Sequence, residues 1–433
     1  MPDQYSRRSF LAGVLACGTV SASASYLLLG PDAEGGRTPE PTPSASAPPP
    51  PGVIELRVAT GQDAIGARQL LFDMWNMANP GVQVRPYRID SGTSDERTVM
   101  LELARLGQAD VVNLDVIHIP EFARKELITP ITLLNSADFL ESTRRPSEVA
   151  NDPGKFWAAP FNTDVGMLFQ RLPGGGRAGT EPSLSDVIDG VADRSGDFVG
   201  QLRPTSSASD EAFVINVLEH AIAVEDTILS PDGTISFDLG LWRKALGPLQ
   251  RALAAGRITS TATEDESVAQ FDSGNRRYMR NWPTRFRQLR PANPAGPDRE
   301  VRVGPLPVGI LGGQSLALVA RSEATPAAVY DVRAAHALRV INFLTDVPAQ
   351  MILATHGWAP TRIKPYSDPT LNRLIPHIQA MRDAVEKARP RPRPLRQEYV
   401  KFSDVVRRHA FAYLHQGKEL PPAFVTEMKA ALS

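Results

Sequence analysis

Between Glu55 and Asp115 the chain switches repeatedly between two hydrophobic periods, and that alternation restricts the fold more than any other feature. Glu55-Leu56-Arg57-Val58-Ala59-Thr60 has the period of two expected of a strand and runs into Gly61-Gln62-Asp63. Leu70, Leu71, Met74, Trp75 and Met77 then share one helical face, and Asn79-Pro80-Gly81 stops that helix. Val82 to Tyr87 reads as the next strand, Thr98 to Leu106 as a helix, and Ala109 to Leu114 as a buried strand ending at Asp115. Strand, helix, strand, helix, strand predicts a parallel sheet with helices on both faces.

Open sheets of this kind meet ligands at the carboxyl ends of their strands. Two of the three ends carry polar groups, Gln62 and Asp63 after the first and Asp115 after the third. Each aspartate would serve equally as a helix cap. Trp75 and Phe122 lie on apolar helix faces and are expected in the core, whereas Trp157 and Trp358 fit either core or cleft rim.

The first 52 residues carry a different message. Ser6-Arg7-Arg8-Ser9-Phe10-Leu11 precedes an uncharged run that continues to Gly30, and Pro31 to Gly52 is rich in Pro, Ser, Ala and Gly. The paired arginines resemble a twin-arginine export signal; they would also hold the N-terminus of a signal anchor inside. Cys17, the single cysteine, follows Val14-Leu15-Ala16 and precedes Gly18, which resembles a lipoprotein cleavage box. The same run is about long enough to cross a bilayer uncleaved. Either route predicts attachment to the outer face of the cytoplasmic membrane: residues 1–30 as signal or anchor, 31–52 as linker.

The remaining chain, about 380 residues, suits two globular domains. A net charge of -1 gives no basic field for nucleic acid. One cysteine excludes an internal disulfide and a thiolate metal site. The seven histidines show no metal-ligand spacing, Gly174-Gly175-Gly176 lacks the Lys-Ser/Thr of a phosphate loop, and no Gly-x-Ser-x-Gly elbow occurs. No cofactor, metal or catalytic residue is therefore expected.

Farther along come Gly154-Lys155-Phe156-Trp157-Ala158-Ala159-Pro160, Phe271-Asp272-Ser273-Gly274 before Asn281-Trp282, Gly304-Pro305-Leu306-Pro307, Gly312-Gly313, Phe343-Leu344-Thr345 and Gly357-Trp358-Ala359-Pro360-Thr361. With the Trp-Asn and Asn-Pro-Gly of the first helix and the Glu121-Phe122-Ala123 after Asp115, their order resembles the extracellular solute-binding proteins of ABC importers. The likeness is to the maltose- and trehalose-binding group and covers residues 53 to 433. The arginine-heavy, proline-rich composition fits an actinobacterial origin.

That resemblance implies an α/β, two-lobed periplasmic-binding-protein-like fold, each lobe a mostly parallel sheet flanked by helices, with several hinge crossovers. Lobe I is expected at 53–158 plus 281–311 and lobe II at 159–280 plus 312–433. It implies capture of a mono- or oligosaccharide by hinge closure, by a monomer that delivers it to importer permease subunits. A membrane-tethered sensor serving a signalling partner would use the same fold without transport. Carried over by motif, Asp115, Trp282, Gly312, Gly313 and Tyr399 would line the cleft, with Asn162, Asp164, Arg362, Gln62 and Asp63 as further candidates. Asp164 would equally pair at the hinge. Where relatives place an aromatic after the strand-end carboxylate, Val116-Ile117-His118-Ile119 supplies only a histidine, and six arginines lie between Arg276 and Arg290. A small or anionic saccharide is compatible with both. Arg389-Pro390-Arg391-Pro392-Arg393-Pro394 reads as an extended, solvated linker.

Overall fold

The computed structural model describes residues 52–63, 65–89, 96–171, 197–204, 211–273, 276–289, 301–387, 391–393 and 398–433. The export segment, Cys17 and the triple glycine lie outside them. The opening alternation forms as expected: β1 (Ile54–Thr60), the helix Ala67–Ala78, β2 (Val82–Arg88), the helix Glu96–Arg105 and β3 (Val111–Asp115). β1 lies between β2 and β3 and is parallel to both. The first helix buries Leu71, Phe72 and Trp75, and the indole of Trp75 donates to Val82 O at 2.9 Å, which fixes the Asn-Pro-Gly turn. Trp75 and Phe122 are core residues.

Two sheets organise the rest. The first adds β4 (Ala159–Val165), β10 (Ile310–Leu318) and the short β11 (Arg391–Pro392). Its order is β11-β10-β3-β1-β2, with β4 also paired to β10. The second contains β5 (Met167–Arg171), β6 (Phe198–Gly200), β7 (Ile258–Ser260), β8 (Tyr278–Asn281) and β9 (Val301–Pro305), in the order β7-β6-β8-β5-β9. Both sheets are mixed, not mostly parallel, because β10 returns antiparallel to β3 and β4, and β5 runs antiparallel to β8 and β9. The helices Ala327–Leu344 and Val347–Thr355 pack with the first sheet. Tyr399–Gln416 and Pro422–Leu432 pack with the helices Glu211–Val224 and Leu239–Ala254, whose apolar residues extend the core beside the second sheet. Among the described residues no single helix is long and apolar enough to cross a membrane.

The division differs from the sequence expectation. The chain leaves the first sheet after Val165, not before Ala159, and Asn281 and Val301–Pro305 belong to strands of the second sheet. It re-enters the first sheet at Ile310, and most of 312–387 stays there. The break sits at Gly166 for a steric reason. A Cβ there would lie 2.2 Å from Glu219 Oε1 and 2.8 Å from Arg280 Nη2, so the backbone passes directly over a buried ion pair. The second crossover runs beside the first, since a Cβ on Gly309 would lie 2.4 Å from Val165 Cγ2. Ala159 to Phe169 is one apolar-rich stretch in sequence, and its period does not reveal which part serves which sheet.

Candidate ligand-binding cleft

Register on β10 gathers Asp115, Asn162 and Asp164 with Gly312 and Gly313. Gln314 stands opposite Asp115 on β3 and opposite Asn162 on β4, while Gly312 stands opposite Asp164. Directly paired residues share a face, as do residues two apart on a strand, so Asp115, Asn162, Asp164 and Gly312 occupy one face at one end of the sheet. Gly313 is required by the backbone: its φ is +121°, and a Cβ would lie 2.4 Å from Asn162 O. At Gly312 a Cβ would be 3.7 Å from Asp164 Cβ and 3.8 Å from Arg393 Nη2, so this glycine faces the polar group without being forced by it.

The electrostatic centre is Arg393, which the sequence reading left on a solvated linker. The structure corrects that: β11 pairs with β10, and Arg393 is 1% exposed. Its Nη2 donates to Asp115 Oδ1 at 2.5 Å, and its Nη1 donates to Glu211 Oε1 at 3.2 Å. Glu211 also accepts from the Tyr399 hydroxyl, and from Ser403 Oγ at 2.9 Å. One guanidinium thus joins a strand end of the first sheet to helices beside the second. Burial acts to lower the Arg393 pKa, but Asp115, Tyr399 and Glu211 leave it above the ordinary arginine value. Burial pushes the Glu211 carboxyl up, partly offset by Arg393 and the Tyr399 bond. Asp115 also accepts from Ile117 N at 3.2 Å, so it caps the following turn while it holds the arginine.

Asp164 is half-buried. Burial, and then the nearby Asp115, push its carboxyl up to about 7, against the opposing pull of Arg280, Arg285 and the Asn162 amide. Its Oδ1 has no hydrogen-bond partner among the described residues, and neither do Ser315 Oγ, Ser142 Oγ and Arg393 Nε, all of them buried. Ser142, Ser315 and Arg393 line one small cleft together with Asn162, Gly312, Pro160 and Val116. Occluded donors and acceptors without partners are costly, and a ligand rich in hydroxyls would satisfy them.

The other expected residues sit differently. Trp282 is half-buried, its indole N–H donates to Glu264 Oε1 at 3.1 Å, and the Arg280 guanidinium lies 3.9 Å over its ring. Arg280 is itself fully buried against Glu219, at 2.7 and 2.9 Å. Gln62 is exposed, with its carbonyl accepting from Arg68. Asp63 accepts from Gln69 N at 2.9 Å, the capping role noted above. Tyr399 is 1% exposed and buried behind the bridge: its hydroxyl donates to Glu211, and the Arg393 guanidinium lies 5.8 Å from the centre of its ring. Arg362 departs furthest: it is buried beside Phe139, and its three nitrogens donate to the carbonyls of Thr345, Asn135 and Leu134. That places it as a brace between loops.

Three arginines of the arginine-rich stretch are likewise engaged internally. Arg280 pairs with Glu219, Arg285 with Asp265, and Arg287 donates to Thr355 O. These three are therefore not available to an anionic ligand. Among the described residues no group of three His, Cys, Asp or Glu is placed to hold a metal ion. Sequence reasoning missed Arg393, Glu211 and Ser315; the available signal for Arg393 was its place between prolines, which force an extended strand-like chain.

No family model matches the chain. A curated protein of Deinococcus radiodurans named "Probable ABC transporter-binding protein" is 24% identical over 352 residues, covering 75% of this chain and 79% of that one. The maltose-bound MalE3 of T. maritima superposes with a TM-score of 0.72 at 21% identity, covering 88% of this chain and 99% of that one. An ABC transporter solute-binding protein of Thermotoga lettingae bound to α-D-tagatose gives 0.67 at 16% identity, covering 88% and 98%. The chain therefore has the fold of these sugar-binding proteins, over nearly their whole length.

Proposed function

We propose that this chain is an extracytoplasmic solute-binding protein of an ABC importer, taking a sugar or sugar alcohol between its two sheets. The observation that carries the reading is the Asp115–Arg393–Glu211 bridge. It ties a strand end of the first sheet to a helix beside the second, and these two elements are the proposed walls of the cleft. A ligand touching both walls binds the closed arrangement better than the open one and shifts the population toward it. Carboxylates, amides and guanidinium groups give charge-assisted hydrogen bonds to hydroxyls. Asp115, Asn162, Asp164, Gly312 and Arg393 would supply those contacts and Gly313 the backbone approach. Asp115 and Arg393 are each spent on the other, an arrangement suited to holding a ligand and not to transferring a proton.

The relatives' descriptions support the importer role, and the N-terminal motifs support export by the twin-arginine route with attachment through Cys17 or an uncleaved helix. The bound protein would act as a monomer at the outer membrane face and present its closed form to permease subunits. Small-angle scattering of the purified protein, with and without saturating D-tagatose, D-glucose, D-mannitol or maltose, tests the mechanism. At least one of them is expected to reduce the radius of gyration. An unchanged radius with a sugar that calorimetry shows to be bound would contradict closure.

A further inference from the structure

The carboxyl end of β1 is filled by a side chain of the protein itself. Arg68, at the start of the first helix, is 4% exposed. Its Nη1 donates to Thr60 Oγ1 at 2.6 Å and approaches Gln314 Oε1 at 3.4 Å, while its Nη2 donates to the Gln62 carbonyl. Thr60 and Gln314 are further tied by the Asn113 amide, at 3.2 and 2.9 Å. The guanidinium thus bridges the end of β1 and the middle of β10, on the face that carries Asp115. Its carbon lies 5.8 Å from the centre of the Trp358 ring. On the other wall Arg280 covers Trp282 at 3.9 Å. Each tryptophan therefore has a ring face taken by a guanidinium, where an apolar sugar face would otherwise stack. A small cleft opens elsewhere on the first sheet, among Asn162, Ser315 and Arg393.

We propose that Arg68 closes the β1 end of the cleft and limits the ligand to a single sugar ring or an open-chain polyol. This rests on the sugar-binding reading above and narrows it. A second ring would have to displace a buried guanidinium from a hydroxyl, an amide and a backbone carbonyl, leaving those acceptors unpaired. Arg68 is thus a size filter, acting by occupying the place of a second ring.

Calorimetric titration of the purified protein with D-tagatose, D-glucose, D-mannitol, maltose and maltotriose tests this. The expected result is that the best single-ring or open-chain ligand binds about tenfold or more tightly than either oligosaccharide. Arg68→Ala should then narrow that gap by strengthening maltose binding. Maltose or maltotriose binding the parent as well as any smaller ligand overturns the size filter and leaves the sugar-binding reading standing, as does an unchanged ratio in a folded Arg68→Ala protein. Should that variant not fold, the parent's own ratio still decides. If the parent binds none of the five, the sugar-binding reading falls and the size filter with it.

Discussion

A buried guanidinium is stable only when anions and acceptors surround it, and Arg393 has two carboxylates, one from β3 and one from a helix beside the second sheet. Tyr399 and Ser403 then hold Glu211 in place. Tyr399→Phe removes one hydrogen bond to a charged group, and denaturant unfolding should show a loss of about 1.5–3 kcal/mol with the fold retained. No loss would mean that Glu211 is held without the phenol. Asp164 gives a pH signature. Its native carboxyl, pushed up to about 7, binds a proton more tightly than the unfolded chain does, so its contribution favours the native state in acid. That contribution is lost as pH rises from about 4 through about 7. Between those limits the parent should lose melting temperature relative to Asp164→Asn; parallel profiles would show that Asp164 titrates normally. Asp115 was legible in the sequence as an acid at a strand end. Arg393 was not, because its Pro-flanked repeat has a linker's composition, and its burial depends on carboxylates 278 and 182 residues away in the chain.

Among the elements, β10 does the most to position the cleft, since it pairs with β3 on one side and β4 on the other. Gly313 allows this. Gly313→Ala would force an L-residue to φ +121° and a Cβ to 2.4 Å from Asn162 O, so a stability loss of about 1–3 kcal/mol is expected by urea unfolding. A neutral result would show that β4 moves freely at this pairing. Gly166→Ala should cost more, about 3–5 kcal/mol, because its Cβ would disrupt the fully buried Glu219–Arg280 pair. The same melt measures it, and a loss below that of Gly313→Ala would contradict the assignment. The first three strands and two helices were legible as a periodic pattern, whereas the Gly312-Gly313 pair, expected at the hinge, lies inside β10. The crossover at Gly166 was hidden, because what places it is the tertiary approach of Glu219 and Arg280.

For the whole molecule, two mixed sheets joined by side-by-side crossovers form the frame on which the proposed closure around a ligand rests. The sequence conveyed that plan through the order of many weak motifs, while the division of strands between sheets depended on long-range pairing that no local period records. The central claim is that a sugar or polyol binds at Asp115 between the lobes. Thermal denaturation of the purified protein with D-tagatose, D-glucose, D-mannitol and maltose, repeated on Asp115→Asn, tests it most directly, since a ligand that binds only the native state raises its melting temperature. The account predicts a rise with at least one of these compounds that is lost or sharply reduced in Asp115→Asn. A rise of equal size in the variant, or no rise in the parent with any of them, would contradict it.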